Sequence, residues 1–352
     1  MAEIVVAIPV RDEAERIGAC LWALNEQTRR PDAVVLLLNN CTDGSAMIAR
    51  RMRQRLGFRL LSLELTLPGP RANAGHARRM AMELAARRCG HDGVLMSTDA
   101  DAIAPRDWIA RNQAAIAQGA DAVCGRAVMD TADLAALPSG LRNDLNREAT
   151  YITLLDRLAC ALDPEPHDPW PRHTEASGAS LAVRANAFAR AGGIPALPSG
   201  EDRAFVRALW EDDARIRHAP DVQVIVSGRQ MGRAAGGMAD TLHRRMVDRD
   251  MYADTQAEPA ANAFRRYELR RRCRLAHSGA WDATLAGDLQ LPAATLMRCM
   301  AASGFGAAWA GLEAASPGLL RNRVRFSDLS RQTGFATALL AELAEPETMA
   351  AD

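Results

Sequence analysis

The chain has 352 residues, of which 48% are hydrophobic, enough for one large domain or two smaller ones with their own cores. Its 43 basic and 43 acidic side chains balance to a formal net charge of +0, so the chain as a whole is not drawn to nucleic acid or to an anionic membrane. Every basic residue other than histidine is arginine, which excludes a P-loop lysine and a lysine that forms a Schiff base.

Short apolar runs and helical periods alternate along the first two thirds of the chain. The apolar runs predict strands over residues 3–10, 33–38, 58–65, 120–126, 175–184 and 222–226, and one that begins at residue 93. Helices are predicted between them, beginning near residues 17, 45, 76, 108 and 202. This alternation predicts an α/β fold with a mostly parallel sheet and helices on both of its faces.

Strand signals stop towards the end of the chain. Residues 130–174 are more helical, residues 227–237 form a basic, glycine-rich loop, and the sequence from residue 239 onward has the periodicity of several amphipathic helices. We therefore predict two domains, residues 1–238 with the sheet and residues 239–352 as a helical extension packed on it. The first part of the extension, Met238 to Arg274, is rich in arginine and is expected to be helical.

The seven cysteines are scattered, and none forms a C-x-x-C pair, which argues against a zinc knuckle or a disulfide scaffold and for a reducing cytoplasm. No apolar stretch is long enough to span a bilayer, and Ile4–Val10 is predicted to be a strand and not a leader. The arginine cluster at residues 265–274 is expected to be a solvated helix face. The alternative is weak contact with the inner face of a membrane or with an acceptor.

Two carboxylates follow the predicted strand that begins at Gly93. Asp99 and Asp101 are separated by one small residue, and in extended chain residues i and i+2 point to the same side. Paired carboxylates at the carboxyl end of such a strand suit a divalent cation that carries phosphate oxygens. The alternative is an ordinary aspartate-rich turn.

Six short motifs occur in an order that resembles a known family. They are Ile8-Pro-Val-Arg-Asp-Glu13, Asn39-Asn-Cys-Thr-Asp-Gly44, Gly75-His-Ala-Arg-Arg79, Thr98-Asp-Ala-Asp101, Gly178-Ala-Ser-Leu-Ala182 and Glu201-Asp202. Together they resemble family-2 glycosyltransferases of the GT-A fold, over about the first two thirds of the chain. The resemblance implies a nucleotide-sugar donor, a divalent metal such as Mn²⁺ or Mg²⁺, and inversion at the anomeric carbon.

The resemblance also implies roles for individual residues. Asp202 is the expected catalytic base with Glu201 beside it, and Asp101 is the expected metal ligand with Asp99 on the ribose or the metal. The nucleotide sugar is expected to contact Pro9, Arg11, Glu13, Asn39, Asn40, Arg78 and Gly178. Negative charge also grows on the leaving diphosphate, and Arg78, Arg229 or Arg233 could stabilise it. Outside the resemblance, Glu201-Asp202 also suits an ordinary acidic helix start.

The chain departs from the family pattern in two places. Asn39 and Asn40 stand where the family usually has a pair of aspartates, which leaves the choice of nucleobase open. After the last strand the family often has a histidine or an aromatic residue, whereas this chain has Ser227-Gly-Arg229, so His243 is the candidate for a third metal ligand.

Two other functions remain as alternatives. A sugar-phosphate nucleotidyltransferase uses a related fold, but its first loop is normally glycine-rich, unlike Pro9-Val-Arg-Asp-Glu13. A catalytically inactive module that binds a nucleotide sugar is the third possibility, because of the two departures. The acceptor, whether a saccharide, a lipid-linked molecule or a small molecule, cannot be identified from these motifs.

Overall fold

The computed structural model describes residues 2–229, 237–248 and 250–349. Within this part of the chain, seven strands form one sheet in the order β3-β2-β1-β4-β6-β5-β7. The strands are β1 Ile4–Val10, β2 Ala33–Asn39, β3 Arg59–Leu65, β4 Val94–Ser97, β5 Ala122–Met129, β6 Leu181–Arg184 and β7 Ile216–Val226. All pair in parallel except β6, which is antiparallel to both of its neighbours, so the predicted mostly parallel sheet is confirmed.

The continuously apolar strands are buried on both faces, as a parallel sheet covered by helices requires. In β1, Ile4, Val6 and Ile8 enter one core, and Val5 and Ala7 enter the other. Helices α1 (Ile17–Asn25), α2 (Ser45–Met52) and α4 (Trp108–Ala117) supply residues to the first core; α3 (Ala74–Arg88), α7 (Ala185–Arg190) and α8 (Glu201–Glu211) supply residues to the second. The predicted helices on both faces of the sheet are therefore confirmed.

Strand β6 is shorter than its sequence pattern predicts. The expected strand covers residues 175–184, but only Leu181–Arg184 is extended and paired, and the residues before it form a loop. The cause is the register, because β6 pairs with the short β4, where Ser97 is opposite Leu181 and Val94 is opposite Arg184. The residues freed from the sheet carry Gly178 to the edge where β4 ends.

The chain divides into two compact units. The first contains the sheet and consists of the residues up to Ala136, Thr174–Trp210 and Ala214–Arg244. Besides the six helices above, it contains α5 (Thr131–Ala136) and α9 (Met238–His243), with short 3-10 turns at Arg53–Arg55 and Gly69–Arg71. The second consists of Leu137–His173, Glu211–Asp213 and the residues from Arg245 on.

The second unit is helical, as its sequence predicts. Its helices are α6 Ser139–Leu162, α10 Ala260–His277, α11 Leu285–Asp288, α12 Ala293–Met300, α13 Phe305–Ala315 and α14 Leu329–Met349, with 3-10 turns at Pro317–Leu319 and Phe326–Asp328. Tyr151, Leu155 and Leu158 of α6 form its core with residues such as Ala263 and Leu329. The division of the chain at residue 238 into a catalytic domain and an extension stays a prediction.

The stretch from Met238 to Arg274 is not helical throughout. Helix α9 ends at His243, one π-helical turn follows at Arg244–Asp248, and α10 begins at Ala260. Pro259 precedes α10, and proline lacks the N–H group that the interior of a helix uses. The described residues between these helices are irregular, with an isolated bridge from Tyr252 to Arg325 and a turn at residues 255–256, so the expected helix is found in α9 and α10 but not between them.

Most arginines of the cluster at residues 265–274 form ion pairs within the second unit. Four of its arginines pair with acids of the same unit: Arg266 with Glu258 and Glu313, Arg270 and Arg274 with Asp163 and Glu165, and Arg272 with Asp282 and Asp288. The expected solvated helix face is wrong for Arg266, which is 4% exposed. No helix among the described residues combines the length and the apolar character that crossing a membrane requires.

Candidate active site

The candidate site lies at one edge of the sheet in the first unit. Strands β1, β4 and β7 run in the same direction and end there, whereas the reversed strand β6 begins there. Glu13 follows β1, Asp99 and Asp101 follow β4, Arg229 follows β7 and Gly178 precedes β6. The fold thus gathers side chains that are up to 216 residues apart in the sequence.

Arg78 is the centre of the first cluster. This buried side chain on α3 donates through Nε to Oε1 of Glu201 at 2.9 Å and through Nη2 to Oδ1 of Asp99 at 2.6 Å. Its Nη1 donates to Oγ of Ser97 at 2.7 Å and to the carbonyl oxygen of Gly178 at 2.8 Å. Burial acts to lower the pKa of Arg78, but the charges of Asp99 and Glu201 raise it above its usual value. Its five hydrogen-bond donors are therefore largely committed to fixing the site.

Gly178 makes room for this arginine. A Cβ atom at position 178 would lie 2.5 Å from Cζ and from Nε of Arg78, a distance at which atoms must move apart. Because the guanidinium is held by several hydrogen bonds, it cannot swing away without losing them. The glycine is thus required by the close approach of Arg78 to the backbone, and its predicted role in nucleotide-sugar binding stays a prediction.

Arg229 is the centre of the second cluster. Its guanidinium donates to both carboxylate oxygens of Glu13, at 2.9 Å from Nη1 and 2.6 Å from Nη2, and Nη2 is 3.4 Å from Oδ2 of Asp101. Glu13 is held in turn by its own N–H, which donates to Oγ of Ser45 at 2.8 Å. Burial, followed by the charge of Asp99, raises the pKa of Asp101 to about 6 even though the charge of Arg229 lowers it.

The two neighbouring acids at the start of α8 have different surroundings. Glu201 is buried against Arg78, whereas Asp202 is half-buried and accepts the N–H of Gly178 on Oδ2 at 2.9 Å and that of Arg203 on Oδ1 at 2.7 Å. The turn before them contains Gly200 with a φ of 71°, a conformation that glycine adopts without steric cost. Asp202 is therefore oriented by backbone groups while keeping an accessible side.

The two asparagines expected at the nucleobase are used differently. Asn40 has a φ of 53°, donates its amide to the carbonyl of Leu67 and accepts the N–H of Leu67, both at 3.1 Å. The amide Nδ2 of Asn39 is buried and, within the described residues, has no hydrogen-bond partner. An unpaired buried donor at a strand end is a group that a ligand can satisfy.

The remaining predicted residues lie around this centre or outside the described part. Pro9 is in β1, and Arg11 donates through Nη1 to the carbonyl of Ala72 at 3.1 Å. His243 is exposed at the end of α9, and its role as a metal ligand stays a prediction. Arg233 lies outside the described residues.

Several residues at this edge were not predicted from the sequence. Ser97 and Ser45 position Arg78 and Glu13, and the thiol of Cys20 donates to the carbonyl of Asp99 at 3.4 Å. Burial raises the pKa of Cys20, so its thiol stays protonated and serves as a donor. Small polar residues beside strand ends carry no separate signal in the sequence, which is why their partners emerge only from the fold.

A further group of possible ligands sits beside this edge. Asp12, Cys41 and Asp43 place one ligand atom each within 4.8 Å of one another. The carboxylates are engaged by the chain itself, because Asp12 accepts the N–H of Thr42 and Asp43 accepts the N–H of Ala14, at 2.7 and 2.8 Å. These hydrogen bonds join the loop after β1 to the loop after β2.

One family model matches part of the chain. Residues 5–156 match the family model described as glycosyl transferase family 2, which confirms the resemblance. No curated protein matches the sequence.

Solved structures are also similar to this chain. Staphylococcus aureus TarS 1–349 with UDP-GlcNAc has 14% identity over 89% of this chain and 91% of that one, with a TM-score of 0.48. The mannosyltransferase PcManGT of Pyrobaculum calidifontis with GDP-Man and Mn²⁺ has 19% identity over 97% and 87%, with a TM-score of 0.46. Glucosyl-3-phosphoglycerate synthase of Mycobacterium tuberculosis with Mn²⁺, UDP and glucosyl-3-phosphoglycerate has 14% identity over 70% and 80%, with a TM-score of 0.40.

Proposed function

We propose that this chain, whose residues 5–156 match the glycosyl transferase family 2 model, transfers a sugar from a nucleotide-diphosphate sugar to an acceptor hydroxyl, with inversion and with help from a divalent metal. The observation that carries the proposal is the position of Asp202. Its carboxylate accepts a hydrogen bond from the N–H of Gly178. Arg78 donates both to the carbonyl oxygen of Gly178 and to the carboxylate of Asp99. One network thus connects the predicted base with the predicted metal-binding turn.

The residues at the acidic turn suit a divalent cation such as Mn²⁺ or Mg²⁺. Asp99 and Asp101 offer carboxylate oxygens, the ligand type that hard divalent cations prefer. Asp101 is mostly buried near Asp99 and Glu13, and these charges contribute to its raised pKa. A cation bound there would relieve that repulsion. When bound, it supplies positive charge that stabilises the diphosphate leaving group.

Asp202 is the proposed general base. The acceptor O–H proton passes to its carboxylate as the acceptor oxygen bonds to the anomeric carbon, while the bond from that carbon to the diphosphate breaks and its electron pair leaves with the diphosphate. Attack from the face opposite the leaving group inverts the configuration. The hydrogen bond from Gly178 orients Asp202 for this role. Glu201 is assigned a positioning role, because its carboxylate is buried against Arg78.

The nucleotide is proposed to lie along the ends of β1 and β2, near Pro9, Arg11 and Glu13. The Nδ2 of Asn39, which has no hydrogen-bond partner among the described residues, could donate to a base or ribose oxygen. Catalysis is assigned to residues 1–238. We expect the protein to act in the cytoplasm.

A panel of UDP- and GDP-sugars, incubated with the protein and Mn²⁺, tests the proposal. We expect release of a free nucleoside diphosphate from one donor, and an increase in thermal stability with the matching diphosphate. With an acceptor, NMR of the product should show the anomeric configuration opposite to the donor's. Formation of a nucleotide sugar and pyrophosphate from a nucleoside triphosphate and a sugar 1-phosphate would instead indicate a nucleotidyltransferase, and binding without turnover would indicate an inactive module. A retained configuration would contradict inversion.

A further inference from the structure

Arg229 stands in an unusual place for a residue expected to contact the diphosphate. Its guanidinium lies against two acids, Glu13 and Asp101, whose side chains are only 7% and 13% exposed. Asp101 is also the residue on which the proposed metal depends. The positive charge of Arg229 and the proposed divalent cation therefore compete for the carboxylate of Asp101.

The two contacts of Arg229 differ in strength. With Glu13 it forms a two-pronged pair at 2.6 and 2.9 Å, the geometry in which a guanidinium binds a carboxylate best. With Asp101 the separation is 3.4 Å, an ion pair without a short hydrogen bond. The contact with Asp101 is therefore the one that can be given up, while Glu13, fixed by Ser45, keeps the arginine in place.

We propose that Arg229 is an internal counter-cation for Asp101, which a divalent metal has to displace from that carboxylate, so that Arg229 sets the metal affinity of the site. The inference rests on the proposed metal-dependent function. A guanidinium and a divalent cation that share one carboxylate repel each other, because both are positively charged and the site is largely shielded from water. Arg229 consequently weakens metal binding while it offsets part of the negative charge of Glu13 and Asp101 in the metal-free protein.

The test is a calorimetric titration of the metal-free protein with Mn²⁺ alone, so the readout is independent of turnover. Arg229→Gln removes the charge and is expected to tighten Mn²⁺ binding by about tenfold or more. Arg229→Lys keeps the charge and is expected to stay within about threefold of the wild type. Arg229→Met replaces Arg229→Gln if thermal unfolding shows that the latter does not fold.

Arg16→Gln is the matched control. Arg16 also lowers the pKa of Asp101 through its charge, but it is the last and smallest of the causes. We expect it to change Mn²⁺ affinity much less than Arg229→Gln. An equal increase in Mn²⁺ affinity in the two variants would mean that the effect is general electrostatics. It would contradict the proposal that the metal displaces Arg229 from Asp101.

The outcomes separate this inference from the proposed function. If the wild type binds Mn²⁺ and the neutral variants of Arg229 bind it equally or more weakly, the counter-cation role is wrong while metal dependence survives. If the wild type does not bind Mn²⁺ either alone or with a nucleoside diphosphate, both metal dependence and this inference are wrong.

Discussion

Arg78 and Glu201, which are 123 residues apart in the sequence, form an ion pair with Nε and Oε1 2.9 Å apart and side chains only 8% and 7% exposed. The pair joins α3 to the start of α8. Because Asp202 is the next residue after Glu201, the pair also fixes where the proposed base can stand. A buried charge left without its partner is costly, so each residue depends on the other.

Replacing Arg78 is therefore expected to destabilise the unit that contains the sheet. Arg78→Ala leaves Glu201 buried and unpaired, and we expect it to lower the free energy of unfolding by about 3–5 kcal/mol. Urea denaturation followed by tryptophan fluorescence measures the change. Arg79→Ala is the control, because Arg79 forms an exposed pair with Glu83 worth about 1 kcal/mol or less. Similar losses in both variants would refute the special role of Arg78.

A methyl group at position 178 should disturb the same arginine. Gly178→Ala places a Cβ at 2.5 Å from Cζ of Arg78, and we expect a loss of about 1–3 kcal/mol in stability together with reduced turnover. Gly90→Ala is the control, because a Cβ at position 90 has nothing within 4 Å. Wild-type stability and turnover in Gly178→Ala would show that Arg78 can move without consequence.

Asp202→Asn tests the proposed base. Asparagine keeps the shape and can still accept the N–H of Gly178, but it cannot take the acceptor's proton at neutral pH. We expect turnover to fall by about 10²-fold or more and donor affinity to change by only a few-fold. Steady-state kinetics with varied donor separates the two. Asp92→Asn, at a highly exposed position before β4, should leave both unchanged.

The outcome for Glu201→Gln completes this test. Glutamine can still accept a hydrogen bond from Arg78, so we expect a smaller loss of turnover than in Asp202→Asn. If Glu201→Gln loses turnover while Asp202→Asn keeps it, the roles of the two acids are reversed.

Removing the carboxylate of Asp101 tests the metal site. Asp101→Ala should abolish Mn²⁺-dependent binding of a nucleoside diphosphate while leaving the fold intact, because the residue lies in a turn at the end of a strand. Calorimetry with and without EDTA measures the binding, and circular dichroism checks the fold. Asp92→Ala serves as the control. A folded Asp101→Ala protein with unchanged Mn²⁺-dependent binding would exclude Asp101 as a ligand.

Acid should weaken the helical unit through Glu165. Burial alone would raise the pKa of Glu165, but the charges of Arg270 and Arg274 contribute to lowering it to about 2. The ordinary pKa of a glutamate is 4.5, so this carboxylate stays ionised to a lower pH in the folded unit than in the unfolded chain. The resulting stability, about 3 kcal/mol, is present above pH 4.5 and is lost as the pH falls towards 2.

Urea denaturation at several values between pH 3 and pH 7 checks this prediction. Glu165→Gln should be less stable than the wild type at pH 7, and the difference should shrink as the pH falls. Glu342→Gln, at an exposed position on α14, should leave the pH dependence unchanged. A constant difference between wild type and Glu165→Gln across the pH range would contradict the assignment.

Much of the sheet and of its polar edge could be predicted from the sequence. The continuously apolar stretches of β1 and β2 signal strands covered on both faces, and parallel strands bring their carboxyl ends to one edge. Polar residues placed directly after such strands, such as Asp99 and Asp101, are then expected to meet. This inference needs only local patterns and the direction of the strands.

The pairings across the site could not be predicted in the same way. Glu13 and Arg229 are 216 residues apart, and nothing near either residue specifies the other. The direction of β6 is also hidden, because three apolar residues in a row give the same pattern in either direction. The resemblance supplied the nucleotide and metal roles, but it did not indicate that Arg78 is buried or that Arg229 faces two acids.

The arginines of α10 show the same limit. Arg270 and Asp163 are 107 residues apart, and the ion pair between them exists because α10 packs against α6. A local charge pattern predicts exposure for such a cluster, since unpaired arginines favour water. Long-range packing reverses that expectation.

The position of β6 has a consequence for how the protein is made. Within the described strands, β5 pairs with β6 and β7, and both are synthesised after the helical segment Leu137–His173. A nascent chain that ends before β6 therefore has a completed β5 with no strand beside it, and exposed strand edges promote aggregation. Residues 5–156, the segment that the family match covers, stop before both partners. That segment alone is thus a poor choice for expression, and the sheet cannot be completed until β7, which ends at Val226, has been synthesised.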